Sequence, residues 1–214
     1  MNTLRTFFIS AFFSFSTLII AQPDDAQKAL HFTLQQLPDQ SWGVFVQPDD
    51  SIFPSERTST GSGQVTIVAP IDFVYSNLEN RGGSWVENAR VNGPQEAADR
   101  AYISFGFVTD KPKLEILPNE ETLLFTFTTN KIFDGTFSLF ENGVDAFATP
   151  NSYGTNPGND LGIIDMGAGG GLQFYAYAGN YENNNPQAVF ASNKKKNKRD
   201  KKNADGALVN IQPK

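Results

Sequence analysis

Ala101-Tyr102-Ile103-Ser104-Phe105-Gly106-Phe107-Val108 and Glu121-Thr122-Leu123-Leu124-Phe125-Thr126-Phe127-Thr128 are two runs with the same alternation. In an extended chain, successive side chains point to opposite faces. Ile103, Phe105 and Phe107 therefore share one side of the first run, and Leu123, Phe125 and Phe127 share one side of the second. Each run presents an aromatic-rich stripe to a core, the pattern of a half-buried strand. Between them lie Asp110-Lys111-Pro112-Lys113 and Pro118-Asn119-Glu120, residues that break strands and make turns. The two runs read as the central strands of an all-β domain.

The same pattern extends outward from this pair. Residues 29–37 place Leu30, Phe32 and Leu34 on one side, with the lone His31 on the other. Pro38-Asp39-Gln40 turns the chain, and Trp42, Val44 and Val46 alternate in residues 41–47, which predicts a hairpin. Residues 47–63 read as a loop. Residues 64–69 read as a strand stopped by Pro70, which has no ladder donor. Residues 71–78 form a short strand with Phe73 and Tyr75 in phase, and residues 84–91 form another around Trp85. Residues 95–99 suit a single helical turn. Further strands are expected at 136–141, 161–166 and 172–178. A glycine hinge spans 167–171, and residues 145–160 form a long loop rich in Asn, Gly and Pro.

Nine or ten short strands between turns, with no convincing helix, predict an antiparallel β-sandwich of the jelly-roll kind; a closed barrel is the alternative. The 19 Phe among 214 residues supply a large core, and 18 Gly with 12 Pro suit many turns. No fixed-period repeat is visible, which argues against a solenoid.

The N-terminus reads as a secretion signal. Arg5 is followed by an apolar stretch over residues 7–20, and Ile19-Ile20-Ala21 offers a cleavage site before Gln22. The stretch is short for a spanning helix. The expected address is extracellular or cell-surface. With Cys 0, the domain holds no disulfide, so its stability must come from packing. The predicted layout is a signal peptide at 1–21, a sandwich domain at 22–191 and a basic tail at 192–214.

Charge is distributed unevenly. Residues 22–193 carry 21 acidic and 8 basic side chains, whereas residues 194–202 carry 7 basic and one acidic. The acidic body makes nucleic acid a poor partner. The basic run reads as a solvated tail, an anchor for an anionic surface, or a contact for another copy's acidic body. Beyond it, residues 207–211 are apolar enough for one more edge strand.

The chemical inventory argues against catalysis. One His and no Cys exclude a Cys-His pair, and no G-x-S-x-G turn accompanies His31. A carboxylate pair for glycoside hydrolysis need not be close in sequence, and that alternative stays open. Two other sets stand out. Asp145, Asn151, Asn156, Asn159 and Asp160 offer the oxygen ligands that Ca²⁺ takes, although no EF-hand spacing is present. Tyr175 and Tyr177, with Tyr102, form a candidate exposed aromatic set for stacking on a sugar or docking a protein.

Several segments carry a family resemblance. They are Thr60-Gly61-Ser62-Gly63-Gln64-Val65-Thr66, Asn88-Ala89-Arg90-Val91, Tyr102-Ile103-Ser104-Phe105-Gly106, Asn156-Pro157-Gly158-Asn159-Asp160-Leu161 and Tyr177-Ala178-Gly179-Asn180-Tyr181. Together with residues 121–127, they resemble secreted β-sandwich modules of bacterial surface proteins, distantly cohesin-like and carbohydrate-binding-like. The resemblance covers residues 29–182. It implies a non-enzymatic binding or scaffold role toward an extracellular protein or polysaccharide, and it implies no catalytic residues. The alternatives are a polysaccharide-acting enzyme with two carboxylates and a subunit that polymerises through residues 207–211.

Overall fold

Phe105 and Phe125 meet with ring centroids 5.0 Å apart, yet the strands that carry them never pair. This contact summarises the fold. The structure, a computed structural model, describes residues 28–49, 54–129, 138–167 and 172–182. The predicted signal at 1–21, the basic run at 194–202, the strand at 207–211 and the hinge residues 168–171 lie outside the described residues.

Ten strands appear in chain order: β1 Lys28–Gln36, β2 Trp42–Pro48, β3 Thr58–Pro70, β4 Tyr75–Asn80, β5 Ser84–Asn92, β6 Arg100–Thr109, β7 Thr122–Thr129, β8 Ser138–Leu139, β9 Asp160–Asp165 and β10 Gln173–Asn180. They make one sheet in the order β4-β7-β2-β1-β10-β9-β3-β6-β5, with β8 paired to β3. The described residues contain no helix. The sheet curls until its two ends approach each other, giving an all-β fold between a sandwich and a barrel. β6 and β7 are each next to an end, not central, and they face each other across the core.

The ladders are antiparallel except one. β1 and β10 run parallel, from Lys28 opposite Tyr175 to Phe32 opposite Asn180. The sheet is therefore mixed, a correction to the purely antiparallel expectation. The predicted hairpin forms: β1 pairs with β2 from Leu30–Pro48 to Gln36–Trp42. Its turn is held by Asp39, whose Oδ1 accepts from the Ser41 backbone N at 3.0 Å and from its hydroxyl at 2.6 Å. These bonds draw the Asp39 pKa below its ordinary value.

Three local expectations change. Residues 58–63 belong to β3, because Thr58, Ser59 and Thr60 pair with Asp165, Ile164 and Ile163. Gly61-Ser62 is an irregularity inside that ladder, which resumes with Gly63 opposite Leu161. A register shift between Val44 and Phe45 makes Leu124 and Phe125 both buried, while Leu123 packs near Phe45 on the other face. Residues 94–100 make two successive turns, with Ala97 N donating to Pro94 O and Arg100 N to Ala97 O, in place of a helical turn.

The core is aromatic. Trp85 is fully buried, stacks near Phe107 and Phe125, and donates its indole N–H to Gly82 O at 2.8 Å. Truncating such a side chain costs about 3–5 kcal/mol. The two end strands, β4 and β5, are joined by residues 81–83, so the sheet's open seam starts at this corner. Arg81 and Gly82 both donate to Leu124 O at 2.8 Å. Gly83 turns with φ +75, a conformation that suits glycine. Along the seam, side chains replace a ladder. Arg90 forms a two-pronged pair with Glu87 at 2.8 and 3.0 Å and donates to Phe73 O at 3.1 Å. It also lies 5.9 Å from the Tyr75 ring centroid.

Candidate functional site

Between residues 64 and 67, β3 changes partner. Its first part pairs with β9 and its later part with β8. Thr66 falls in the gap. Its backbone N donates to Asn159 Oδ1 at 2.9 Å, and its carbonyl accepts from Phe140 N at 2.8 Å. The Thr66 hydroxyl donates to Gly158 O at 2.8 Å and accepts from Gly158 N at 3.0 Å, with Ser104 Oγ at 2.9 Å. A buried side-chain amide thus does the work of a neighbouring strand, leaving no buried backbone donor unpaired there.

Asn159 fixes more than Thr66. Its Nδ2 donates to Phe140 O at 2.7 Å and to Asn180 Oδ1 at 3.3 Å. Asn142 clamps its backbone from the other side, accepting from Asn159 N at 2.8 Å and donating to Asn159 O at 2.7 Å. The segment before β9 is therefore locked to β3, β8 and the end of β10.

The loop leading into it is internally braced. Asp145 Oδ1 accepts from Tyr102 OH and Phe147 N, each at 2.9 Å. Asn151 donates to Phe147 O and Thr155 O and accepts from the backbone N of Tyr153 and Thr155. Glu96 takes both the backbone N and the hydroxyl of Ser152 at 2.6 and 2.8 Å. Beneath the loop, Val68, Tyr102, Phe140 and Phe147 make a satellite core.

These constraints leave a groove of about 500 Å³ between the loop, the middle of β3 and the ends of β9 and β10. The size is within the usual range for small-ligand sites. Gln64, Asn142, Thr149, Asn156, Asp160 and Tyr177 line it. Most of the amide capacity is spent on the fold. Gln64 Nε2 donates to Asn156 O and Gly158 O, and the Thr149 hydroxyl, with one proton to give, lies 3.0 Å from both Thr155 O and Asn156 Oδ1. Unspent capacity among the lining residues includes the acceptors Gln64 Oε1 and the exposed Asp160 carboxylate, and the donors Asn156 Nδ2 and the second N–H of Asn142 Nδ2. Tyr177 forms one flank. Its ring edge packs on Phe32 and its hydroxyl donates to Asn180 Oδ1 at 2.9 Å. Burial lifts its pKa, and the charge of Glu141 adds to the rise.

The aromatic set does not form one exposed face. Tyr175 is 4% exposed and packs in the main core, whereas Phe174 beside it is 41% exposed. The phase follows from the parallel pairing, which sets Tyr175 and Tyr177 opposite Lys28 and Leu30. Tyr102 is 3% exposed, in the satellite core, with its hydroxyl pKa raised by burial and by its bond to Asp145. Only Tyr177 reaches the groove.

The five oxygen-bearing residues of the loop also separate. Asp145 and Asn151 brace the loop, Asn159 is 3% exposed inside the sheet, and Asn156 and Asp160 reach the groove. Among the described residues, no group of three or more His, Cys, Asp or Glu gathers where it could hold a metal ion. Members of the two predicted sets, Tyr177 from one and Asn156 and Asp160 from the other, thus come together in one place. Gln64, Asn142 and Thr149 were not anticipated as lining. Asn142 reads as the first residue of an Asn-Gly turn, and Gln64 as an ordinary strand residue. His31 lies elsewhere, 2.7 Å from Asp49 Oδ1 at the start of the hairpin.

No protein-family model, curated protein or solved structure matches the chain.

Proposed function

We propose that the chain is a non-enzymatic, secreted or cell-surface binding module and that its groove holds a segment of a polysaccharide. One observation carries this reading: a groove of about 500 Å³ lined by side-chain amides, a carboxylate and a tyrosine flank. Sugar hydroxyls both donate and accept, and they match amide and carboxylate groups better than apolar ligands do. The groove is held open by bonds within the protein, so ligand binding would not have to order it. The scale of binding follows from the inventory. A few unspent groups at about 1 kcal/mol each give only a few kcal/mol, corresponding to weak, roughly millimolar binding of a short ligand. A polymer that offers the same unit many times raises retention without new contacts.

Of the two partner classes implied by the resemblance, the polar groove favours polysaccharide over protein, whose docking sites centre on buried apolar anchors. The two-carboxylate reading has less support. Glycoside hydrolysis needs a second carboxyl group about 5–10 Å from the first, and Asp160 is the one carboxylate among the described lining residues. Retention on insoluble polysaccharides, with and without Asn156→Ala, tests the proposal. Retention that the variant weakens supports it. Steady release of reducing ends from any bound polymer would contradict it.

A further inference from the structure

We infer that the groove selects neutral, hydroxyl-rich glycans and rejects those bearing carboxylate or sulfate groups. This rests on the glycan-binding reading and narrows it. The argument is the balance of unspent groups. Gln64 Oε1 and the Asp160 carboxylate are acceptors, and Asn156 Nδ2 is a donor. Gln64 Nε2 is fully engaged, and the Asn142 amide keeps one N–H after its bonds to Asn159. The one charged group in this set is an acceptor, and it asks the ligand for hydrogen-bond donors. Hydroxyl groups provide them; an ionised carboxylate or sulfate provides none.

Charge points the same way. None of the described lining residues is Lys, Arg or His. An anionic ligand would meet Asp160 with no cation to offset the repulsion, in a body where residues 22–193 carry 21 acidic and 8 basic side chains. Sites for anionic ligands use Arg or Lys for this reason. Asp160 also occupies a position suited to reading hydroxyls. Its backbone is fixed opposite Gln64 in the ladder, next to the clamped Asn159. A hydrogen bond to an ionised acceptor is about twice as strong as a neutral one.

The test is affinity electrophoresis of the full mature chain through gels containing neutral polymers (a β-glucan, a mannan, a xylan) or acidic ones (alginate, polygalacturonate, dextran sulfate). It is run at low and at moderate salt for the natural protein, Asp160→Asn and Asn156→Ala. A melting curve for each variant establishes that it is folded. The expected result is retardation by at least one neutral polymer, little changed by salt, and weakened about tenfold by Asp160→Asn. Any retardation by acidic polymers should come from the basic run at 194–202, so it should fall at moderate salt and be the same in the natural protein, Asp160→Asn and Asn156→Ala. Stronger retardation by an acidic polymer, lost in Asn156→Ala, would overturn the inference while leaving a glycan-binding groove. No retardation by any neutral polymer, or retardation by a neutral polymer that neither variant changes, would overturn the glycan reading and the inference with it.

Discussion

The Thr66 backbone N–H donates to the Asn159 side-chain oxygen at 2.9 Å, and with the Thr66 hydroxyl's bonds to Gly158 it joins the break in β3's ladder to the lining of the groove. Asn159→Ala leaves the buried Thr66 N–H without an acceptor, whereas Phe140 O keeps its bond from Asn180 Nδ2 at 2.8 Å. An unsatisfied buried group costs about 1–3 kcal/mol, and a loss in that range is expected. Urea unfolding should show a lower midpoint with an unchanged slope. A loss under about 0.5 kcal/mol would mean that the amide is not a substitute strand.

The seam between β4 and β5 gives a pH-dependent prediction. Burial opposes ionisation of Glu87, but the Arg90 and Tyr75 hydrogen bonds together outweigh it and hold the Glu87 pKa below its ordinary value. A depressed folded pKa contributes stability that is complete above the unfolded value, near 4.3, and is lost as pH falls through the folded value. Comparing the natural protein with Glu87→Gln isolates this group from the other carboxylates. The stability difference should be largest above about pH 5 and shrink in acid. A difference that stays constant from pH 6 to about pH 3 would refute the seam pairing.

Tyr75 gives the alkaline counterpart. Burial, with its bond to Glu87, raises its pKa to about 12. A raised folded pKa contributes stability below the unfolded value near 10, lost as pH climbs through about 12. Tyr75→Phe should therefore flatten the alkaline end of the stability curve; an unchanged curve would sever Tyr75 from the seam.

Sequence pattern carried the local half of this fold. The β1–β2 hairpin was legible because alternation and a Pro-Asp turn act over a few residues. The β1–β10 pair was not, since a parallel partner about 145 residues away leaves no local signal. The Leu124 phase was hidden for a related reason: a bulge is set by the facing strand, and it reverses which of Leu123 and Leu124 is buried. The groove was half legible. Asn156, Asp160 and Tyr177 were each singled out, for two different reasons, and only the topology brings them together. Gln64 and Asn142 look like strand and turn residues until their amides are seen spanning the loop.

Gly83 should be intolerant of substitution. Its φ of +75 costs a non-glycine residue about 1–2 kcal/mol, and an added Cβ would overlap the Phe107 ring. Gly83→Ala should lower stability by at least that amount in urea. A neutral substitution would mean that the corner between β4 and β5 can relax freely.

Calcium should leave the melting temperature of this protein unchanged. The Asp145, Asn151 and Asn159 oxygens already accept from N–H or O–H donors, and Asn156 and Asp160 alone fall short of about six to eight oxygen ligands. A rise in melting temperature at millimolar calcium, reversed by EDTA, would show a metal site that this arrangement does not account for.

The most direct measurement is an NMR titration of the labelled protein with a neutral oligosaccharide taken from whichever polymer retards it. The account predicts shifts concentrated in the side-chain amides of Asn156 and Gln64 and the backbone amides of Gly158 and Asp160, with the Trp85 indole signal unmoved. Shifts centred on the β5 edge or the exposed Phe174, with the groove amides silent, would contradict it.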